Sequence, residues 1–513
     1  MPIFSSLSLR RSRLGAVVLA GALSAVAGCT DLTETPLDAL TPENAFKTDP
    51  EILAGAASVY AQLRQTQWAY YNLSEITTDE QIVPTRGSDW FDNGRWIEIY
   101  KQAWSPNSGS ALDDMNGLWN NMFAGVAKAN LMIDVVEKST SASKAANLGE
   151  LRVLRAWFYY VLMDMFGGVP IVTTTEVKPT ARASRDEVFK FIETELKAAI
   201  ASLPERPLAY GRINKHVANA ILANMYLNAP VFQGTVTSAG LQRAPARLTE
   251  AIQFADAVIN SGVYSLASSW QSNFNADNQN SPELIFVVNN TANPPGIGNS
   301  LPQRPLHYNQ HGVGGGPWNG FATIAETYRK YDPADQRRGI WLVGQQKNFV
   351  TGANANDRAG NPLVFTETIG DITNASEVEG PRINKFPPFV TAPNGDSHPH
   401  KFPYFRLAEM YMIKAEALFE QGSTPAALAI VNQLRARVFQ PAKPLTALSR
   451  DAILNERLFE FAGEAKRRQD MIRLGGYTAA RQFKTATEGY KVLMPIPITQ
   501  IQNNPLLTQN AGY

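Results

Sequence analysis

The chain has 513 residues, with 47 basic against 46 acidic side chains, and its single cysteine is Cys29. Near-neutral charge without a long basic block excludes a surface that tracks a phosphate backbone, so no nucleic-acid partner is expected. One cysteine excludes a disulfide framework, and the fold must be held by its core.

Residues 1–13 carry Arg10, Arg11 and Arg13 without an acid, and the uncharged run Leu14–Ala27 follows, closing on Ala27 and Gly28. A charged start, an apolar run too short to span a bilayer and a small-residue cleavage site make an export signal over 1–28. Val26-Ala27-Gly28-Cys29 resembles a bacterial lipobox, which places an acylated Cys29 at the new amino terminus as a membrane anchor. About 485 residues remain, enough for one large fold or for two to three domains.

Downstream, helices are predicted over 50–64, 112–136, 148–166, 184–202, 212–229, 247–261, 402–420, 424–439 and 449–474. In the third of these Leu148, Leu151, Leu154, Phe158, Leu162 and Met165 recur at three and four, and Gly167-Gly168 and Pro170 end it. Between about 266 and 400, turn pairs such as Asn293-Pro294 and Asn394-Gly395 interrupt every periodic run except 321–331. Tyr411, Ala415, Leu418, Gly422, Ala427 and Val431 approach a tetratricopeptide pattern, in which small residues let paired helices close together. The predicted fold class is therefore all-α: tetratricopeptide-like stacked hairpins with a long loop-rich insertion and minor β content. The predicted division is 29–265 as an amino-terminal helical region, 266–400 as the insertion, and 401–513 as a carboxy-terminal region packed with the first.

Catalytic patterns are thin. There is no Gly-x-Ser-x-Gly elbow, no His-Glu-x-x-His and no phosphate-binding loop. His398 and His400 stand in a proline-rich stretch that reads as a solvated loop, and Asp79-Glu80 reads as a cap or turn. Glu464, Arg467, Arg468, Asp470 and Arg473 read as ion pairs along a helix surface. Glu456 and Glu460 lie along one helical face, whereas glycosidic hydrolysis needs two carboxyls opposed across a sugar. Neither catalysis nor a cofactor or metal is expected.

Six stretches in order resemble the SusD/RagB family of outer-membrane nutrient-binding lipoproteins: "DALTPENAF", "RWIEIYKQAWSPNSGSALDDMNGLWNNMFAGVAKANLMID", "LRAWFYYVLMDMFGGVPIV", "FRLAEMYMIKAEAL", "NERLFEFAGEAKRRQDMIRLGG" and "MPIPITQIQNNPLLTQNAGY". Ala465 and Arg468 depart from the glycine and tryptophan usual there. The resemblance implies a lipoprotein of the outer membrane, facing outward, that captures an oligosaccharide and delivers it to a SusC-like TonB-dependent transporter. It also implies a ligand site built as an arc of aromatics and amides on loops. Two clusters qualify: Trp90, Phe91, Asn93, Arg95 and Trp96, and His307, Tyr308, Trp318 and Asn319. An aromatic face covers the C–H face of a pyranose while amides and charged groups bond its hydroxyls. Tyr70, Tyr71 and Trp270 are the alternative place for the arc, and Trp119 is expected in the core. Rival functions are a helical-repeat scaffold lipoprotein in envelope assembly, which needs no aromatic loops, and a glycoside hydrolase.

Overall fold

The computed structural model describes residues 45–107 and 109–513; Cys29 and the predicted export signal lie outside them. Residues Thr48–Tyr513 form one compact unit. Helix α1 (Asp49–Ala61) opens on Thr48, whose N–H donates to Glu51 at 2.8 Å, with Pro50 in the first turn where its missing N–H costs nothing. A 3-10 turn leads into α2 (Ala69–Glu75), and a loop reaches α3 (Arg95–Lys101). The long antiparallel pair α4 (Ala111–Lys138) and α5 (Lys144–Phe166) follows, then α6 (Arg185–Ile200), capped reciprocally by Ser184 and Glu187. Next come α7 (Lys215–Leu227), capped by Asn214, and α8 (Leu248–Ile259).

The chain then leaves the helical body for almost 150 residues and returns at α9 (Leu407–Glu420) and α10 (Thr424–Arg435). In space the succession is unbroken: α4 packs on α5, α5 on α6, α6 on α7, α7 on α8, α8 on α9 and α9 on α10. This is the predicted stack of helical hairpins, with the excursion inserted between two neighbours in the row. Its base is closed by an antiparallel pair, β1 (Leu284–Val288) against β2 (Phe402–Arg406), every residue of which is buried. The pair is seated on α5, where Trp157 stacks on Tyr160 at 4.9 Å and meets Tyr404 at 4.6 Å and Phe286 at 5.1 Å. Described strands occur only in two-stranded pairs.

Three expectations change. The helix predicted over 402–420 starts only at Leu407, because residues 402–406 pair with β1; aromatic-rich Phe402–Arg406 suits a strand buried on both faces. The segment 321–331 contains a single helical turn, Ala325–Tyr328. The helix predicted over 449–474 is two, α11 (Arg450–Phe461) and α12 (Arg467–Leu474), separated by a turn in which Gly463 and Ala465 have positive φ.

That turn overturns the reading of surface ion pairs. Glu464 accepts from Arg406 and Lys385; Arg467 pairs with Asp79 at 2.7 Å, Arg468 with Asp164 at 2.9 Å, and Arg473 with Glu416 and Asp470. All of these side chains are buried. Sequence spacing proposes neighbours along a helix; Asp470–Arg473 is such a pair, but the other partners come from distant segments, and Asp79 is one of these rather than a cap. Arg406 also bonds Glu283 at 2.7 Å and Glu460 at 2.8 Å, while Arg337 bonds Asp335, Glu456 and Glu460. Burial alone would raise the Glu460 carboxyl, but Arg406, Arg437 and Arg337 hold it well below its usual range. Removing one member of such a network strands a buried charge, at a cost of about 3–5 kcal/mol. Through it, the insertion is fastened to the carboxy-terminal helices.

Candidate functional site

The loop before α3 is conformationally demanding. Trp90, Asp92, Asn93 and Gly94 all have positive φ, a region that non-glycine residues occupy only when their surroundings impose it. Those surroundings are identifiable. The Trp90 indole N–H donates to the Trp318 carbonyl at 2.6 Å, Trp96 Nε1–H donates to Asp92 at 2.6 Å, and the Tyr308 hydroxyl donates to Asp89 at 2.5 Å. The two loops named from the sequence therefore meet, joined by side chains at both ends.

Trp90 packs edge-on against Trp96 at 5.3 Å and Phe321 at 5.6 Å and lies tilted to Trp318 at 6.5 Å. Trp90, Trp318 and Tyr308 are half-buried, whereas Phe91 is 56 % and Trp68 36 % exposed. These rings offer faces to solvent. Trp68, which the sequence reading missed, meets Trp96 at 6.2 Å and lies over the buried Arg304 guanidinium at 4.6 Å. Its signal was present in the aromatic cluster "WAYY", but nothing local separates Trp68 from Tyr70 and Tyr71, which are buried.

Four predicted members do not face outward. Trp96 is 2 % exposed and serves as the floor under Trp68 and Trp90. His307 is fully buried, 3.4 Å from Glu377, and burial depresses its pKa. Asn319, also fully buried, donates to the Glu377 carbonyl at 3.0 Å and accepts from Arg382, so its amide is consumed in holding the loop. Arg95 is tied to Asp114 at 2.5 Å and lies over Trp96 at 5.0 Å, a brace rather than a free donor. Asn93 is exposed at the rim. The alternative arc fails outright, since Tyr70, Tyr71 and Trp270 are each buried, as is the expected core residue Trp119.

Beside the aromatic wall lies a shallow pocket of about 460 Å³, lined by Arg86, Gly87, Arg358, Ser376 and Glu377 among others. Exposed Arg358 connects the two: it covers the Tyr308 ring at 4.4 Å, bonds Glu377 at 2.7 Å and reaches Asp89 at 3.3 Å. Burial, then the Asp89 hydrogen bond, push the Tyr308 phenol up, so it stays a neutral donor. Arg86 is spent on the carbonyls of Ser376 and Glu379. Asp89, Arg358 and Glu377 carried no sequence signal, because their roles depend on contacts across 19 to 269 residues. The arrangement provides apolar faces for flat rings and, next to them, a charged hydrogen-bonding edge.

Profiles of two related families match the chain: the SusD family over residues 272–485, and the family described as starch-binding associating with outer membrane over residues 43–227. The chain is thus similar to SusD-type proteins along most of its length. It is 25 % identical to the starch-binding protein SusD of Bacteroides thetaiotaomicron, covering 86 % of this chain and 85 % of that protein. It is 24 % identical to SusD-like protein P2 of Formosa agariphila, covering 96 % and 98 %. Among solved structures, a laminarin-binding SusD-like protein superposes with a TM-score of 0.73 at 22 % identity, covering 91 % of this chain and all of the other. The surface glycan-binding protein A of Bacteroides thetaiotaomicron, in complex with laminarihexaose, superposes at 0.70 with 20 % identity and the same coverage. The mostly helical, tetratricopeptide-like SusD fold is thus this chain's fold.

Within that fold, the departures at Ala465 and Arg468 have physical answers. Ala465 holds the left-handed turn at φ 59° that a glycine would hold without strain. Arg468 is fully buried and fills its place as a cation bonded to Asp164 and to the Val492 carbonyl. His398 and His400, expected in a solvated loop, are buried with His311. Among the described residues no group of three potential ligands is placed to hold a metal ion.

Proposed function

We propose that this protein is a lipid-anchored, outward-facing glycan-binding protein of the outer membrane that stacks an oligosaccharide on the Trp90–Trp318 wall. The observation that carries this reading is the pairing of solvent-facing rings at Trp68, Trp90, Phe91 and Trp318 with the Asp89–Tyr308–Arg358–Glu377 edge. Rings bind the apolar face of a sugar and set its plane; the edge bonds hydroxyls and sets which sugar fits. Names of relatives that bind starch or laminarin support a glucan as ligand class. Acylation of Cys29 would retain the protein at the membrane, and a SusC-like TonB-dependent transporter is the recipient to which it delivers the saccharide. No chemistry is assigned, because Glu456 and Glu460 are each committed to buried arginines.

The test is a glycan array on the soluble chain beginning after Cys29, followed by titration of the best ligand and assay of reducing ends. Saturable binding of an oligosaccharide without new reducing ends is expected. Absence of binding to any glycan would favour the scaffold reading, and turnover lost on changing one carboxylate would favour a hydrolase.

A further inference from the structure

A second concavity, of about 470 Å³, lies against α1 and the turn after it. Its walls are mostly apolar, with Leu53, Ala57 and Tyr60 on one side and Tyr210 and Val288 on the other. Leu53 and Tyr210 are 46 % and 43 % exposed, a large apolar rim left open to water. Two arginines line it, and they differ in kind. Arg212 is neutralised, bonding Glu150 at 2.7 Å, and the Tyr60 hydroxyl donates to the same carboxylate. Arg64 is half-buried, yet among the described residues it is given no carboxylate, hydrogen bond or aromatic face. Burial alone acts on it and lowers its pKa.

A guanidinium drawn partly out of water without an acceptor is a cost, and the buried arginines of this fold are given carboxylates or carbonyls. The fork of Arg64 matches a planar anion, while the surrounding walls match an apolar body. One unmatched positive charge selects a single negative charge. We propose that this pocket is a binding site for small monocarboxylic acids with an apolar body, held by a salt bridge to Arg64 and by packing between Ala57, Tyr210 and Val288. The site is independent of the glycan wall: its lining residues are not among those that form the wall.

The experiment is isothermal titration of the soluble chain with octanoate and 4-hydroxycinnamate, each beside its uncharged counterpart, octanol and methyl 4-hydroxycinnamate. The two acids separate an aliphatic from an aromatic body. At least one acid should bind saturably and about tenfold more tightly than its counterpart, and Arg64→Gln should erase that difference. Ala57 is exposed on α1, so Ala57→Phe should fill the pocket without disturbing the core and weaken acid and counterpart together. Circular dichroism and glycan binding should be unchanged in both variants. Failure of both acids to saturate overturns the proposal, as does wild-type acid binding by folded Arg64→Gln or Ala57→Phe.

Discussion

The indole N–H of Trp90 donates to the main-chain carbonyl of Trp318 at 2.6 Å, linking residues 228 apart in sequence. The Trp90 ring lies directly on Gly320, where an added Cβ would stand 2.3 Å from Trp90 Cε2. Strain at Trp90, whose φ is 60°, is thus held by one hydrogen bond, a glycine seat and the flanking rings of Trp96 and Phe321. An aromatic face fixed before ligand arrives loses little freedom on binding.

That arrangement separates two kinds of variant. Trp318→Ala should lower glycan affinity about ten- to a hundredfold, the worth of one stacking face, with little change in melting temperature. Trp90→Ala removes both a face and a loop clasp, so affinity and melting temperature should fall together. Gly320→Ala must displace the Trp90 ring and should weaken binding while every aromatic is retained. Undiminished affinity in Trp318→Ala would take that residue out of the site.

Glu75 and Glu80 are buried together, and their carboxylates accept from the backbone N–H groups of Ala465 and Gly463 at 2.5 Å. Burial, then repulsion from Glu80, push the Glu75 carboxyl well above its ordinary value. The folded protein therefore keeps a proton that the unfolded chain releases above about pH 4.5. Stability contributed by this group is full below that pH and declines as pH rises, by up to about 1.4 kcal/mol per pH unit. Glu75→Gln, which keeps the acceptor oxygen and abolishes the charge, should flatten this decline in urea melts between pH 6 and 9. An unchanged pH slope would refute the retained proton on Glu75.

Buried histidines add to the acid side above the range in which the paired carboxylates titrate. Burial lowers His311 to about 4; burial and the neighbouring His400 and His311 lower His398 to about 3; burial lowers His400 to about 4. Unfolded, each titrates near 6.5, so between about pH 6.5 and 4 the unfolded chain binds more protons. Stability contributed by these neutral imidazoles is present above pH 6.5 and is lost on acidification through that window. His400→Phe, which can pack against Phe386 as the imidazole does at 6.0 Å, should make the acid limb shallower. A limb as steep as the wild type's would assign it to other groups.

Ala465→Gly should stabilise the protein by about 0.5 kcal/mol. Relief of a left-handed alanine outweighs the added freedom of the unfolded chain, though the two are of similar size. Thermal melts compare the variants directly, and a lowered midpoint would mean that the buried methyl group packs more strongly than the backbone is strained.

The helical hairpins are legible in the sequence alone, because apolar spacing at three and four residues is a local code that reports a buried face wherever the helix is finally placed. It also singled out two aromatic loops, since tryptophans among Gly, Asp and Asn are legible without a partner. Its lipobox reading rests on residues 26–29 alone. Which rings face water depends on contacts between distant segments. Trp90 and Trp96 are six residues apart with similar flanks, yet one is a half-exposed face and the other a floor at 2 % exposure. The structure likewise turned a supposed surface ladder at Glu464–Arg473 into buried pairs with Asp79, Asp164, Lys385, Arg406 and Glu416. Exposure and ion pairing are properties of what lies opposite a side chain, and that partner belongs to chain segments from 57 to 388 residues away.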